Sequence, residues 1–265
     1  MPLLRTEKRG HVALLTFDRG EALNALGRPG DGDEVRLVCE KVNSDPEIRC
    51  AILTGAGAAF CAGGDLKLMR ERAGPFGGGG FAIRDGYRHN IHRVVTALNG
   101  LEVPSIAAVN GPAIGLGCDV ACMADMRIAS ARAKFGATFL KVGLVPGDGG
   151  AWLLPRVIGM SRACELLYTG KVIDAAVAEQ WGLVSRVVDH DSLLTEAFAL
   201  AESIAAQPPH ALRLTKSLLR HGQWATYDTI MEMSAASQAI SHLTDDHMEG
   251  VAAVLERRDP QFTGR

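Results

Sequence analysis

"AILTGAGAAFCAGGDL", residues Ala51 to Leu66, opens as an apolar strand and runs into a loop carrying four glycines. Two chemistries use such a loop. Its backbone N–H groups either cradle a phosphate, as in a dinucleotide site, or stand unpaired to receive an oxygen that gains charge during a reaction. The first requires GxGxxG leading straight into a helix. Here the third glycine position is Phe60, and "FCAGGDL" intervenes with two more glycines, so the dinucleotide reading is the weaker. It predicts NADH binding, which a fluorescence titration tests.

The second chemistry requires a partner loop. "NGPAIGLGCDVA", Asn110 to Ala121, follows the apolar run that starts at Ser105 and leads into an apolar helical pattern. Amides from two such turns, one at the positive end of a helix, suit a thioester carbonyl on its way to an enolate. Glycine-rich turns also occur in α/β proteins as plain connections, and the loops alone leave both readings open.

The rest of the chain frames these loops. "HVALLTF" (11–17), "IRCAILTG" (48–55) and "SIAAVNG" (105–111) read as strands ending in turns, with helical periodicity over 33–44 and 81–98 between them. Strand and helix alternate, so the sheet is parallel in part. Later strands are "MRIAS" from Met126 and "GLVSRVVD" from Gly182. Beyond Ser192 apolar residues recur every three or four positions, punctuated by Pro208 and Pro209. This divides the chain into a core over 1–191 and a helical C-terminal subdomain over 192–265. "GPFGGGG" (74–80) reads as a mobile surface loop bordering a site.

At 265 residues with 47% apolar composition the chain has length for one large core and a small appendage. A formal charge of -2 excludes nucleic acid or an anionic membrane as a general partner. Neither a leader-like N-terminal run nor a membrane-spanning stretch is present, which predicts a soluble, cytoplasmic protein. Six scattered cysteines lack metal-ligand spacing and read as buried thiols, so no metal or redox cofactor is expected.

Several long motifs in order carry a resemblance over nearly the whole chain. They are "EALNAL" (21–26), "AILTGAGAAFCAGGDLK", "PSIAAVNGPAIGLGCDVACMADMRIAS", "AKFGATFLKVGLVPGDGGAWLLPRVIG" (133–159), "WGLVSRVV" and "RRDPQFTG". Together they resemble the crotonase superfamily, the enoyl-CoA hydratase/isomerase family. The resemblance implies an α/β fold of repeated ββα units wound into a spiral with a helical C-terminal region. It also implies an acyl-CoA substrate, CoA being part of that substrate, and a homotrimer or dimer of trimers.

Carried over residue by residue, the resemblance assigns the oxyanion amides to Gly64 and Leu116. It lines the CoA moiety with Ala22, Leu23, Ala62, Gly64, Asp65, Leu66 and Lys67. Glu21 stands where a basic residue sometimes meets CoA phosphate, and the helix that follows is expected to start late, near Asp33, because of "GRPGDGD". The family's hydratases manage a water with two glutamates. This chain has Asp119 at the first position and Phe139 at the second, and a phenyl ring accepts no proton.

A single carboxylate suffices to move a proton between carbons of the substrate, which is double-bond isomerisation. Asp119 is thus expected to transfer the proton, with Asp148 of "VPGDGG" as its partner; N-capping a helix and sitting in a first turn are the structural alternatives for Asp148 and Asp119. Asp125 is expected to tie down a turn, His89 and His92 to lie at the surface or rim, and Trp152 and Phe139 to form core or acyl-pocket wall. Hydration of an enoyl thioester and non-catalytic acyl-CoA binding stand as the alternatives to isomerisation.

Overall fold

A computed structural model describes residues 2–265 of the chain. An antiparallel hairpin, β1 (Leu4–Arg9) and β2 (Val12–Phe17), leads to α1 (Asp31–Ser44) and to β3 (Cys50–Gly55), parallel to β2. Short helices α2 (Leu66–Glu71), α3 (Gly80–Gly86) and α4 (His92–Asn99) precede β4 (Ser105–Val109), β5 (Pro112–Ile114) and α5 (Leu116–Met123). Then come β6 (Met126–Ser130), β7 (Lys134–Gly136), α6 (Gly150–Ile158), α7 (Met160–Thr169), β8 (Val172–Asp174), α8 (Ala175–Gln180) and β9 (Arg186–Val188). The chain ends in α9 (Leu193–Ala205), α10 (Pro209–His221), α11 (Tyr227–His242) and α12 (Asp245–Glu256). Strand, strand, helix recurs as β1-β2-α1, β4-β5-α5 and β6-β7-α6, the repeated ββα unit expected of the fold.

The larger sheet runs β1-β2-β3-β4-β6-β9 and is parallel from β2 onward. Its central strands are buried on both faces, which explains their unbroken apolar runs. Alternate residues serve opposite cores. Ala13, Leu15, Ala51, Leu53 and Ala107 join the larger cluster, while Val12, Leu14, Cys50, Ile52 and Ile106 face α9. Helix α9 meets that face through Ala197, Ala201 and Ala205, at four-residue spacing, and small side chains let it lie close.

Helix α1 begins at Asp31 rather than Asp33. The cause is a buried ion pair: Asp31 takes both Arg19 nitrogens, at 2.6 and 3.1 Å, and the N–H groups of Gly27 and Arg28 at 2.9 Å. Between α3 and α4 the helix widens into a π-turn over Tyr87–Ile91. Asn90 within it ties Arg28 O and Gly32 N together, at 2.9 and 2.8 Å. Because β3 and β4 pair in parallel, with Leu53 opposite Ala107, the loops leaving their carboxyl ends emerge side by side.

Candidate active site

Residues 56–59, after β3, fold as a carbonyl turn. Asn24 Nδ2 donates to Ala56 O and Ala59 O, at 2.9 and 2.8 Å, and Asn110 Nδ2 donates to Gly57 O at 3.1 Å. Oxygens rather than N–H groups are thus gathered there, and the next helix waits until Leu66. The turn after β3 therefore lacks the donor cradle a dinucleotide phosphate requires.

The following glycines do another task. Phe60 N and Cys61 N both donate to Pro112 O at 3.1 Å, and Ile114 N donates to Cys61 O at 3.0 Å. This short parallel bridge sets the Gly63-Gly64 turn against the start of α5. Gly63 lies at φ +99 and a Cβ there would sit 2.7 Å from Ile114 O, so only glycine permits the approach. Among the described residues neither Gly64 N nor Leu116 N donates a hydrogen bond, and both residues line one cavity. Leu116 is the first residue of α5, where unpaired N–H groups and the helix dipole favour an anionic oxygen.

The segment 22–26 is zipped to the same loop. Ala62 N donates to Leu23 O at 2.9 Å, Leu26 N to Gly63 O at 2.8 Å and Asp65 N to Leu26 O at 2.7 Å. Ala22, Leu23, Ala62, Leu66 and Lys67 therefore share one lip, with Leu66 and Lys67 exposed. Leu23 and Asn24 hold φ of +52 and +58, strain the zipper and the Asn24 bonds maintain. Asp65 turns inward instead: its Oδ1 accepts from Lys67 N and Leu68 N, at 3.0 and 3.3 Å, capping α2.

The cavity measures about 670 Å³ counting its open mouth. Phe76, Tyr87, Ile91, Phe139, Leu144 and Val145 form its apolar walls. Phe76 comes from the glycine-rich insert expected only to border a site; it is buried and meets Tyr87 edge-on at 5.9 Å. Tyr87 is brought to it by the π-turn, which leaves no mark in apolar spacing. Phe139, at the position where the resemblance implies a second acid in hydratases, supplies a hydrocarbon wall.

The two carboxyls separate. Asp148 is buried, lines the cavity and has an Oδ1 without a partner. Burial raises its pKa to about 6, with nearby His92 pulling the other way. It does not cap α6, whose N-cap is Gly149. Asp119, expected to transfer the proton, is fully buried and is absent from the cavity lining. Its Oδ2 accepts from Gly150 N at 2.9 Å and its Oδ1 is unpartnered. Burial first, then Cys122 and Asp148, push its pKa well above the ordinary carboxylate value.

His89 is exposed, and His92 is half-buried with Nε2 2.9 Å from Gly147 O. Trp152 is 43% exposed beneath the Arg156 guanidinium rather than core. Asp125 ties the start of β4 to α10: it accepts from Ser105 N at 2.8 Å and pairs with Lys216 at 2.6 Å. All six cysteines are free, and burial pushes Cys39, Cys50 and Cys61 up to about 12. Among the described residues no group of three His, Cys, Asp or Glu could hold a metal ion, and no helix is long and apolar enough to cross a membrane.

Paired unpartnered amides over an apolar cavity, beside parallel strands of a ββα spiral, are the arrangement expected of an oxyanion site. The family model for enoyl-CoA hydratase/isomerase matches residues 7–265, and the chain belongs to that family, within the crotonase superfamily of enzymes. It is 38% identical to the 1,2-epoxyphenylacetyl-CoA isomerase of Escherichia coli, over 96% of this chain and 95% of that one. It is also 38% identical to a Mycobacterium tuberculosis protein named "Probable enoyl-CoA hydratase", over 98% and 97% of the two chains. The crystal structure of an enoyl-CoA hydratase from Bacillus anthracis superposes with a TM-score of 0.91 at 35% identity, covering 99% of this chain and 100% of that one.

Proposed function

We propose that this enzyme isomerises a carbon–carbon double bond of an acyl-CoA thioester, with Asp148 carrying the proton. The observation behind the reading is the unpartnered Asp148 carboxyl in the wall of the cavity that holds Gly64 and Leu116, while Phe139 offers no second acid. The CoA moiety lies along Ala22, Leu23, Ala62, Leu66 and Lys67, and the thioester oxygen accepts from the amides of Gly64 and Leu116. Asp148 takes a proton from one carbon, the electron pair moves into the dienolate held by those amides, and the proton returns at another carbon. Asp119 acts from behind, fixing Gly150 and hence the turn that carries Asp148.

Hydration is the second reading, and the hydratase names among the relatives favour it. Mass spectrometry of a trans-2-enoyl-CoA in isotopically labelled water separates the two. Isomeric product without added water, lost in Asp148→Asn, supports isomerisation; a product heavier by one water overturns it. Complete inertness of wild type toward enoyl thioesters, with retained binding, would leave an acyl-CoA binder. A homotrimer or dimer of trimers accounts for the exposed apolar residues Trp224, Tyr227, Ile240, Leu243, Val254 and Leu255 on the C-terminal helices and the turns between them. Light scattering at the elution peak tests that assembly, and a monomer would refute it.

A further inference from the structure

Asp148 lines two cavities. One holds the oxyanion amides; the other is lined by His92, Val95, Thr96, Asn99, Trp152 and neighbouring residues, with a volume of about 730 Å³ counting its mouth. Thr96, Asn99 and Trp152 are exposed, so this second cavity opens to solvent. It is also mixed in character, with a hydroxyl, an amide and an imidazole set among apolar side chains. A space of that size and polarity holds several waters.

The first cavity has no such supply once occupied. Its apolar walls include Tyr87, Phe139, Leu144 and Val145, and an acyl group filling it excludes water from that side. Because a carbonyl oxygen only accepts, the 2.9 Å contact with Gly147 O places a hydrogen on His92 Nε2. In its neutral form the ring then keeps a lone pair on Nδ1.

Resting on the isomerase reading, we propose that the second cavity is a rear proton port: Asp148 exchanges its proton with solvent through it while acyl-CoA occupies the front. The steps balance without a co-reactant. A substrate C–H bond breaks, its proton goes to the Asp148 carboxylate, and the electron pair moves to the thioester oxygen. Water in the second cavity then replaces that proton with one of its own. Return of the new proton to carbon forms the C–H bond and regenerates the carboxylate.

The test is deuterium wash-in from heavy water, read by mass spectrometry on two substrates. Butyryl-CoA reports exchange of its α-hydrogens, and a 3-enoyl-CoA reports isomer yield together with deuterium per product. Thr96→Trp, at an exposed position of α4, plugs the port, whereas Trp152→Ala widens it. Thr96→Trp is expected to cut wash-in at least about 3-fold on both substrates with the isomerisation rate unchanged, since internal return needs no port. Trp152→Ala is expected to keep or raise wash-in, so a folding defect in one variant leaves the other to decide. Equal wash-in in wild type and Thr96→Trp, lowered wash-in in Trp152→Ala, or wild-type product and butyryl-CoA free of deuterium each overturn the port. Failure of the isomerase reading appears separately, as hydrated product or no isomer.

Discussion

The carboxylate of Asp119 and the backbone of Gly150 form one joint: Oδ2 accepts from Gly150 N at 2.9 Å. A Cβ on residue 150 would lie 2.7 Å from Asp119 Cγ. The first peptide of α6 is thereby satisfied by a side chain 31 residues earlier, a capping task done from a distance. Gly150→Ala is expected to cost about 1–3 kcal/mol through overpacking, measured by denaturant unfolding. Asp119→Asn keeps an oxygen acceptor in place, so it is expected to retain the midpoint and lose much less activity than Asp148→Asn, which should fall about 10²–10⁴-fold. An Asp119→Asn loss equal to that of Asp148→Asn would place Asp119 in contact with the substrate.

The pH profile follows from Asp148. As a base it works only when ionised, and burial has raised its pKa to about 6. The rate of proton removal is therefore expected to rise with pH through about 6 and to level above. His92→Gln removes a neighbour that lowers this value, so the limb should shift upward. Stability runs the opposite way. The folded-state pKa of about 6 lies above the ordinary aspartate value, so the native state binds more protons across that window and loses stability as pH rises through it. Two pKa units correspond to about 3 kcal/mol. Denaturation curves across this range should show Asp148→Asn less pH-sensitive than wild type.

Much of the fold was legible because it rests on local pattern. The strands through Leu14, Ile52 and Ala107 announce themselves as apolar runs, and the two amide turns by their glycines, whose spacing the close approach of Gly63 to Ile114 enforces. Which of the two carboxyls lines the cavity was not legible. Asp119 and Asp148 both follow glycine turns in sequence, and which of them meets the cavity depends on α6 docking over α5, a tertiary relation with no sequence period. Asp31, which starts α1 two residues early, was hidden likewise: its partner Arg19 lies across a loop. Phe76 was missed because a run of glycines around it signals mobility, whereas Gly86 lies so close to Pro75 that its Cβ would be 2.7 Å from Pro75 Cα, pinning that turn to the helix.

The Lys216–Asp125 pair holds α10 against the sheet. Lys216 Nζ lies 2.6 Å from Asp125 Oδ2 and 2.6 Å from Val103 O, nearly sealed from water. Burial lowers the Lys216 pKa to about 8, with Asp125 opposing the shift. Asp125→Ala strands the ammonium and is expected to cost about 3–5 kcal/mol, while pairing it with Lys216→Met should recover most of the loss. Thermal or denaturant melts of the single and double variants measure the coupling. A double variant no more stable than Asp125→Ala would show that the pair's hydrogen bonds, rather than its charges, anchor the helix.

Phe139 decides the reaction in the reading proposed here, and it can be asked directly. The ring is buried in the cavity wall together with Asp148, where a second acid could aim and deprotonate a water. Phe139→Glu is expected to divert product from isomer toward the hydrated thioester. A positioned general base contributes about 10²–10⁴-fold in rate, so even partial success should raise incorporation of labelled water oxygen at least about 10-fold over wild type. Buried in an apolar wall, the new carboxyl will have an elevated pKa, and hydration should therefore grow as pH is raised. Labelled oxygen in the product at several pH values measures both effects. Undiminished isomerisation with no added water would mean that the missing acid is not what excludes hydration.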